Sequence, residues 1–422
     1  MRSTTTSPRA FARLWWANAV SAFGSFVGSL ALAFTVVETL GGSTASVAAL
    51  AVAGQVSAMA VAAHAGLLAD RLPARRALVA ADLVRAAALI CVPLAHRLGL
   101  LHLGLLLAVS AVTGAANVLF NSAAQGLVPA LVPAEGLVRA NSRLASATAA
   151  AEIAGFALAG VLADRLGPPG AVTVDALSFV ASAVCLAALP PALRARPRRP
   201  RRRASLSELL AGFAFVRNEP VLRSLLATAA LADIGTAFAS VSYLVYLAGE
   251  VGFAGSTLGV IFAIGGATAI VGARVATMAE RRRAVGRAYA LAAAVRVVGS
   301  AAMPAAADTG AVGIGLLVTN QVVTDPAWML QEVAESAIRQ ARTPDELAGR
   351  VAAVGQWLGS GSRLAGTATA GAVGAVVGPR PALWAGCAVL TAAAVTATLT
   401  PVVRVRSAAG AGAPLSAAGP RA

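Results

Sequence analysis

Long apolar segments follow one another along almost the whole chain, separated by short connections that carry most of the charge. A helix that crosses a bilayer needs about 20 mainly apolar residues, and twelve stretches are long enough. They lie at 12–38, 45–69, 77–95, 100–127, 137–163, 170–190, 221–248, 254–279, 285–306, 310–337, 347–377 and 381–402. The pattern predicts an all-α membrane protein with twelve transmembrane helices.

The second half of the chain repeats the first at an offset of 211 residues. The clearest matches form one ungapped run that includes prolines and charged residues, which favours duplication over coincidence in a biased composition. In this run Pro133 falls on Pro344, Glu135 on Glu346, Arg139 on Arg350, Gly155 on Gly366, Gly160 on Gly371, Gly167 on Gly378 and Pro168 on Pro379. Elsewhere, Gly24 falls on Gly235 and Arg85 on Arg296. Because duplicated transporters keep only weak internal symmetry, we expect two pseudo-symmetric six-helix bundles, at 1–190 and 221–402.

The composition agrees with a surface that faces lipid. Of the 422 residues, 58% are hydrophobic and 12% are charged, and the mean hydropathy is +0.76, whereas a soluble protein carries about 25% charged residues. The net charge of +16 comes from arginines scattered through the connections. We interpret it as membrane topology and not as nucleic-acid binding. The distribution of arginines predicts a protein of the inner (cytoplasmic) membrane with both termini on the cytoplasmic side.

Residues 191–220 form the predicted cytoplasmic connection between the two bundles. It begins with the polybasic stretch PALRARPRRPRRRASLSE, which we expect to touch anionic lipid. The apolar residues of the next segment recur at helical spacing, and this predicts an interfacial helix with one apolar face. They are Leu206, Leu209, Leu210, Phe213 and Val216. Residues 403–422 are predicted to be a disordered cytoplasmic tail, and we expect a monomer.

A short motif joins the second and third predicted spans. Its residues are Gly66, Asp70, Arg71, Arg75 and Arg76, in the sequence GLLADRLPARR. A small residue lets two helices approach closely, and an aspartate can meet arginines or the positive end of a neighbouring helix. Such a contact would act as a latch for one conformation. An ordinary basic connection would explain the arginines, but not the glycine and aspartate at their spacing.

The motif resembles the loop signature G-x-x-x-D-R-x-G-R-R of the major facilitator superfamily, with Pro73 in place of the usual glycine. A longer resemblance covers most of the chain and points to the branch that includes macrolide-efflux proteins and enterobactin-exporter-like permeases. It is carried by ADLVRA at 81–86, NSAAQ at 121–125, VP at 128–129, VPAE at 132–135, RANS at 139–142, DALSF at 175–179 and FVRNEP at 215–220. The resemblance implies the major facilitator fold, in which two bundles rock around a central site for a small-molecule cargo.

Many exporters of that superfamily carry a Gly-Pro pair in the fifth span, whereas Phe156 follows Gly155 here. The glycines of this span still predict close helix packing. We assign that role to two glycines and their partners in the repeat: Gly155, Gly160, Gly366 and Gly371.

Charged residues inside the predicted spans are candidates for coupling to protons or cargo, because a charge at mid-membrane costs a few kcal/mol. Asp233 lies well inside the seventh span and could take up a proton, or it could be a packing carboxylate bonded to Thr228 or Thr236. Glu152 and Arg363 occupy equivalent positions of the repeat. Each could pair across helices or bind charged parts of cargo, or each could have a separate structural partner.

Three acids of the tenth span also share a helical pattern. Asp325 and Glu332 are seven residues apart and so lie on one face, and we include both among the candidates for coupling. Glu335 and Arg339, four apart, are predicted to form a structural pair. Asp82 and Arg85, three apart in the third span, are predicted to form another.

These features predict a secondary exporter of a hydrophobic or amphipathic small molecule, such as a drug, an antibiotic or a siderophore-like metabolite, driven by proton antiport. The chain has no lysine and therefore no G-x-x-x-x-G-K-[ST] nucleotide-binding loop. Its cysteines and histidines form no cluster, so neither a metal, a cofactor nor an enzymatic activity is expected. Uptake by the same fold remains an alternative, because direction cannot be read from helices. A membrane receptor without transport is a third possibility.

Overall fold

The computed structural model describes residues 8–71, 73–190 and 206–406, and it leaves out the side chains of 8, 63–71, 134 and 206–209. Residues 191–205 of the predicted polybasic stretch and residues 407–422 of the predicted tail lie outside the described residues. The described part of the chain is built from helices, as the sequence predicts. They are α1 (Pro8–Phe34), α2 (Thr44–Arg71), α3 (Ala74–Arg97), α4 (Leu103–Leu131), α5 (Leu137–Leu166), α6 (Pro168–Ala187), α7 (Leu206–Asn218), α8 (Pro220–Leu244), α9 (Gly255–Arg281), α10 (Val285–Ala305), α11 (Ala311–Arg342), α12 (Ala348–Val377) and α13 (Pro379–Leu399).

Twelve of these helices occupy the twelve predicted spans, and α7 occupies the predicted interfacial segment. Among the described residues, ten helices are long and apolar enough to cross a membrane. The helices α11 and α12 are 32 and 30 residues long, but they are not among those ten. On α11 the charged residues Glu332, Glu335 and Arg339 line the cavity described below, and on α12 Arg363 does. The predicted fold class is confirmed.

The repeat is visible in the helix boundaries. The helices α2, α3 and α5 begin at Thr44, Ala74 and Leu137, and α9, α10 and α12 begin 211 residues later. Both α1 and α8 continue into a π-helical turn, at Thr35–Thr39 and Val245–Val251. Equivalent sequence positions therefore begin and end equivalent helices.

The same turn precedes the last helix of each half. Gly167 and Gly378 have φ angles of +72° and +88°, in the left-handed region that glycine enters without a Cβ clash. Pro168 and Pro379 follow at the first helical position, where a missing N–H costs nothing. Glycine followed by proline therefore sets the sharp entry into α6 and into α13.

Two of the predicted packing glycines make equivalent helix contacts. A Cβ on Gly155 would lie 3.0 Å from the carbonyl oxygen of Phe23 on α1, and one on Gly366 would lie 3.1 Å from that of Ile234 on α8. Phe23 and Ile234 are themselves 211 residues apart. Each half thus closes its first helix onto its fifth through the same glycine.

The contacts divide the chain into two compact units. Unit 1 takes the described part of Met1–Arg201 together with Leu244–Ala263 and Gly374–Val376. Unit 2 takes the described part of Arg202–Tyr243 together with Ile264–Val373 and Val377–Ala422. The core of unit 1 includes Leu14, Leu78, Leu127 and Leu186, and that of unit 2 includes Leu222, Leu225, Tyr289 and Ile338.

Helix α7 packs against unit 2 along part of the predicted apolar face. Val216 is buried in the core of that unit, and a Cβ on Gly212 would lie 3.0 Å from the carbonyl oxygen of Arg350. Leu210 and Phe213 remain exposed. The helix therefore has a docked side and an apolar side that is open to its surroundings.

Candidate functional site

Unit 2 contains a cavity of about 440 Å³ whose walls are formed by α8, α10, α11 and α12. Its lining combines apolar side chains of α8 with six charged side chains, three acidic and three basic. These are Asp233, Glu332, Glu335, Arg296, Arg339 and Arg363. A cavity of this size can hold a small organic molecule, and its charges make it the strongest candidate for a cargo site among the described residues.

Asp233 on α8 and Arg363 on α12 form an ion pair in this cavity. The guanidinium Nη1 of Arg363 lies 3.4 Å from both carboxylate oxygens of Asp233. The side chain of Asp233 is 26% exposed and that of Arg363 is 56% exposed, so both can be reached from the cavity. Gly359 precedes Arg363 by one turn, and a Cβ there would lie 3.3 Å from Asp233 Oδ2. The missing side chain leaves room for the pair.

The pairing answers two questions that the sequence left open. Asp233 meets Arg363, while Thr228 and Thr236 donate their hydroxyls to backbone carbonyls of their own helix. Glu152, the repeat partner of Arg363, lies half-buried on α5 in unit 1. The two symmetry-related charges therefore have different surroundings.

Arg296 on α10 also lines the cavity and is almost completely buried. Its guanidinium donates to Gln331 Oε1 at 2.7 Å and to Thr236 Oγ1 at 2.9 Å, and the residue is 4% exposed. Asp233 and Glu332 act on this cation electrostatically from a greater distance. Since Thr236 lies three residues after Asp233 on α8, Arg296 is linked to the helix that carries the Asp233–Arg363 pair. Sequence reasoning noted Arg296 as a partner of Arg85 in the repeat, but not as a site residue.

The acids of α11 divide between two roles. Glu335 accepts a hydrogen bond from Arg339 at 3.2 Å, which is the predicted i,i+4 pair. Glu332 lines the cavity and is exposed, and Trp328, one turn earlier on the same face, lines it as well. Asp325 is not among the lining residues. Its carboxylate lies 3.4 Å from Gln321 Nε2, in a region where α9 presents Gly265.

The other predicted residues that the structure describes are not among those that line the cavity. The backbone of α2 extends to Arg71 and that of α3 begins at Ala74, but the side chains of Asp70 and Arg71 and the surroundings of Gly66 lie outside what the structure describes. The predicted latch therefore stays a prediction. Gly160 packs against the backbone carbonyl of Gly255, and Gly371 is buried.

Comparison with known proteins gives a consistent result. The family model described as Major Facilitator Superfamily matches residues 14–367. An uncharacterized MFS-type transporter, y4rN, from Sinorhizobium fredii (strain NBRC 101917 / NGR234) is 29% identical over 257 residues, or 58% of this chain and 60% of that protein. The alignment thus spans less than two thirds of the length of this relative.

Solved transporter structures share the fold at low identity. The nucleoside transporter NupG has a TM-score of 0.75 at 14% identity, over 92% of this chain and 98% of that one. A bacterial homologue of the iron transporter ferroportin has a TM-score of 0.69 at 16% identity, over 92% and 98%. A bacterial homologue of the human lysosomal transporter Spinster has a TM-score of 0.72 at 12% identity, over 94% and 96%. At these identities the likeness shows the fold.

Proposed function

Because the chain belongs to the Major Facilitator Superfamily, we propose that it is a secondary active exporter that exchanges protons for an amphipathic or hydrophobic small molecule by alternating access. The observation that carries this proposal is the Asp233–Arg363 pair inside the cavity of unit 2. The proposal extends to drugs, antibiotics and siderophore-like metabolites as cargo. It includes the branch of macrolide-efflux proteins and enterobactin-exporter-like permeases that the sequence resembles.

Coupling follows from competition for one carboxylate. While Asp233 is ionised it neutralises Arg363, and a proton on Asp233 removes that partner. A basic group of a cargo molecule would compete with the proton for the same oxygens. Two ligands that exclude each other at a site reduce each other's affinity reciprocally. A carrier that returns with one after releasing the other therefore exchanges them.

The cavity lining favours an amphipathic cargo. The apolar side chains of α8 and the ring of Trp328 offer contact to a hydrophobic body, and Trp328 is 41% exposed. Glu332, one turn from Trp328, offers a charge to a polar group. An entirely apolar molecule would displace solvent from the charged side chains of the cavity and offer them no polar contact in return, which is costly in a low-dielectric site.

The proposal places the protein in the inner membrane as a monomer, with both termini cytoplasmic. In this arrangement the residues of the latch, Gly66 to Arg76, lie at the cytoplasmic side, where they would hold one conformation of the cycle. The polybasic connection would lie against anionic lipid. The exposed Leu210 and Phe213 of α7 support an interfacial position for that helix.

The first test is a drug and metabolite susceptibility screen in bacteria that lack their own efflux pumps. A compound to which the expressed protein gives resistance is then followed into inverted membrane vesicles, where we expect accumulation that stops when an uncoupler collapses the proton gradient. Asp233→Asn should abolish the dependence on the gradient, and Asp345→Asn, which alters an exposed carboxylate outside the cavity, should behave as the wild type. Transport that requires ATP and ignores the uncoupler would overturn the proposal, and accumulation of the compound by whole cells would indicate uptake instead.

A further inference from the structure

Unit 1 contains a second group of charged side chains, which are buried between its helices. This group is separate from the cavity of unit 2. Asp82 and Arg85 lie on α3 and Asp175 lies on α6, and they are 0%, 2% and 4% exposed, respectively. Arg85 forms an ion pair with Asp82. This was the structural pair predicted from the sequence, but the third member, Asp175, was noted only as part of a family resemblance.

The guanidinium of Arg85 lies between aromatic rings. Its guanidinium lies over the rings of Phe120 and Phe179, 4.5 Å and 4.1 Å from their centroids. Asn117 offers a side-chain oxygen at 3.4 Å. Aromatic faces stabilise a guanidinium, and they also exclude water from it. Phe179 is one turn from Asp175 on α6, so the cation lies beside the helix that carries the third charge.

Asp175 has no ion pair within 4.0 Å among the described residues. Its carboxylate is inserted at Gly24 and Gly28 of α1, where a Cβ on either glycine would overlap it. The hydroxyl of Ser178 donates to the backbone carbonyl of Asp175 at 2.8 Å and lies 3.5 Å from its carboxylate. Of the charged groups that the structure describes on the helices packed against α6, Arg85 is the one that acts on Asp175 electrostatically.

The charges of this group do not balance. Two carboxylates face one guanidinium, so the fully ionised cluster would keep one net negative charge in the interior of a membrane protein. A buried carboxylate without a partner binds a proton in preference to remaining ionised. Since Asp82 already holds Arg85, the surplus falls on Asp175.

The repeat shows that the fold does not need these acids. Arg296 is the partner of Arg85 in unit 2, but Ala293 and Gly386 stand at the positions of Asp82 and Asp175. In unit 2 the helices equivalent to α1 and α6 are α8 and α13, and they cross at Gly235 and Gly386. A Cβ on either glycine would lie 3.0 Å from the carbonyl oxygen of the other. The same helix contact therefore forms without a carboxylate, and the two acids are an addition specific to unit 1.

The geometry points to a proton-binding site in unit 1, formed by Asp175 together with the Asp82–Arg85 pair, that holds one proton on Asp175 at neutral pH. One proton makes the cluster electrically neutral. This site is distinct from Asp233. Its existence does not depend on the direction of transport, on the cargo or on the coupling ion.

The test is pH-difference infrared spectroscopy in D₂O on the purified full-length protein in lipid nanodiscs, and it requires no cargo. At neutral pH the wild type should show the carbonyl stretch of a protonated, buried carboxyl group, and raising the pH should remove it with the release of one proton. Asp175→Asn, which resembles the protonated acid in shape, should lose both signals. Asp345→Asn, with its exposed carboxylate, should keep them.

A second variant separates this proposal from a protonated acid that is simply buried. In Asp82→Asn one carboxylate and one guanidinium remain, so Asp175 should ionise as the new partner of Arg85 and the band should disappear. Persistence of the band in Asp82→Asn would overturn the charge-balance argument, as would its persistence in Asp175→Asn. Absence of the band from the wild type would overturn the proposal without any variant. None of these results depends on whether the exporter proposal holds.

Discussion

The guanidinium Nη1 of Arg363 on α12 lies 3.4 Å from both carboxylate oxygens of Asp233 on α8, although the two residues are 130 positions apart in the sequence. Both side chains are partly exposed to the cavity of unit 2. The pair is therefore open to disruption by a proton or by a cargo group, and it motivates the first prediction.

Replacing Arg363 with Gln should abolish coupled transport with little loss of stability. A partly exposed ion pair contributes about 1 kcal/mol or less to folding, so the unfolding midpoint should change little. Accumulation of the transported compound in inverted vesicles should fall at least about tenfold. Arg97→Gln, at an exposed arginine at the end of α3, serves as the control. The exchanged double variant Asp233→Arg with Arg363→Asp keeps two opposite charges and should also unfold near the wild-type midpoint, but it should not regain the coupling. Normal efflux by Arg363→Gln would remove the pair from the mechanism.

Replacing Gly155 or Gly366 with Ala should destabilise the protein in the same way in both halves. Each added methyl group would enter a helix contact in which backbone atoms lie 2.8–3.1 Å away, and overpacking of this kind costs about 1–3 kcal/mol. Gly361→Ala is a matched control on α12, because nothing lies within 4 Å of its built Cβ. That change should be neutral or stabilising by up to about 1 kcal/mol. Reversible unfolding in mixed micelles measures all three, and equal values for Gly366→Ala and Gly361→Ala would contradict the packing argument.

Asp164 caps the beginning of α9 within unit 1, and its removal should loosen that end of the helix. Its two carboxylate oxygens accept from the backbone N–H groups of Gly255 and Ser256 at 3.0 and 2.9 Å. Loss of such a cap costs about 1 kcal/mol. Asp164→Ala should therefore raise hydrogen exchange at residues 255–259 by roughly fivefold, measured by mass spectrometry. The neighbouring change Arg165→Ala is the control, and unchanged exchange in Asp164→Ala would show that the cap is not used in the membrane.

Replacing Arg296 with Gln should cost more stability than replacing an exposed arginine of the same unit. The side-chain oxygen of Gln331, which is buried, would lose its donor, and a buried group without its partner costs about 1–3 kcal/mol. Lys at this position should restore the stability only in part, because an ammonium group cannot reproduce the planar fork of a guanidinium. Arg274→Gln, at an exposed position on α9, provides the comparison in a thermal unfolding assay. Equal unfolding midpoints for Arg296→Gln and Arg274→Gln would show that the hydrogen bonds of Arg296 contribute no stability.

Several features of the fold were predictable because their causes are local. The turn at Gly167 and Pro168 recurs at Gly378 and Pro379, since a residue that must adopt positive φ and a residue without an N–H leave few alternatives. The pair of Glu335 and Arg339 was predictable because four residues on a helix bring side chains to one face. The same reasoning placed Asp325 on the face of Glu332, but seven residues also separate the two side chains by about 10 Å along the helix axis. Asp325 lies nearer to Gln321 and outside the cavity lining.

The sequence by itself determined where the helices lie, that the chain repeats at 211 residues and that charges occur within the spans, because hydrophobicity and spacing along the chain are properties of neighbouring residues. Only the tertiary structure decided that Asp233 forms an ion pair with Arg363 and that Arg296 donates hydrogen bonds to Thr236 and Gln331. It also decided that Asp175 lies beside the pair of Asp82 and Arg85. Partners on different helices depend on how those helices are rotated and offset against each other. Many weak contacts set that arrangement together, and no local pattern in the sequence records it.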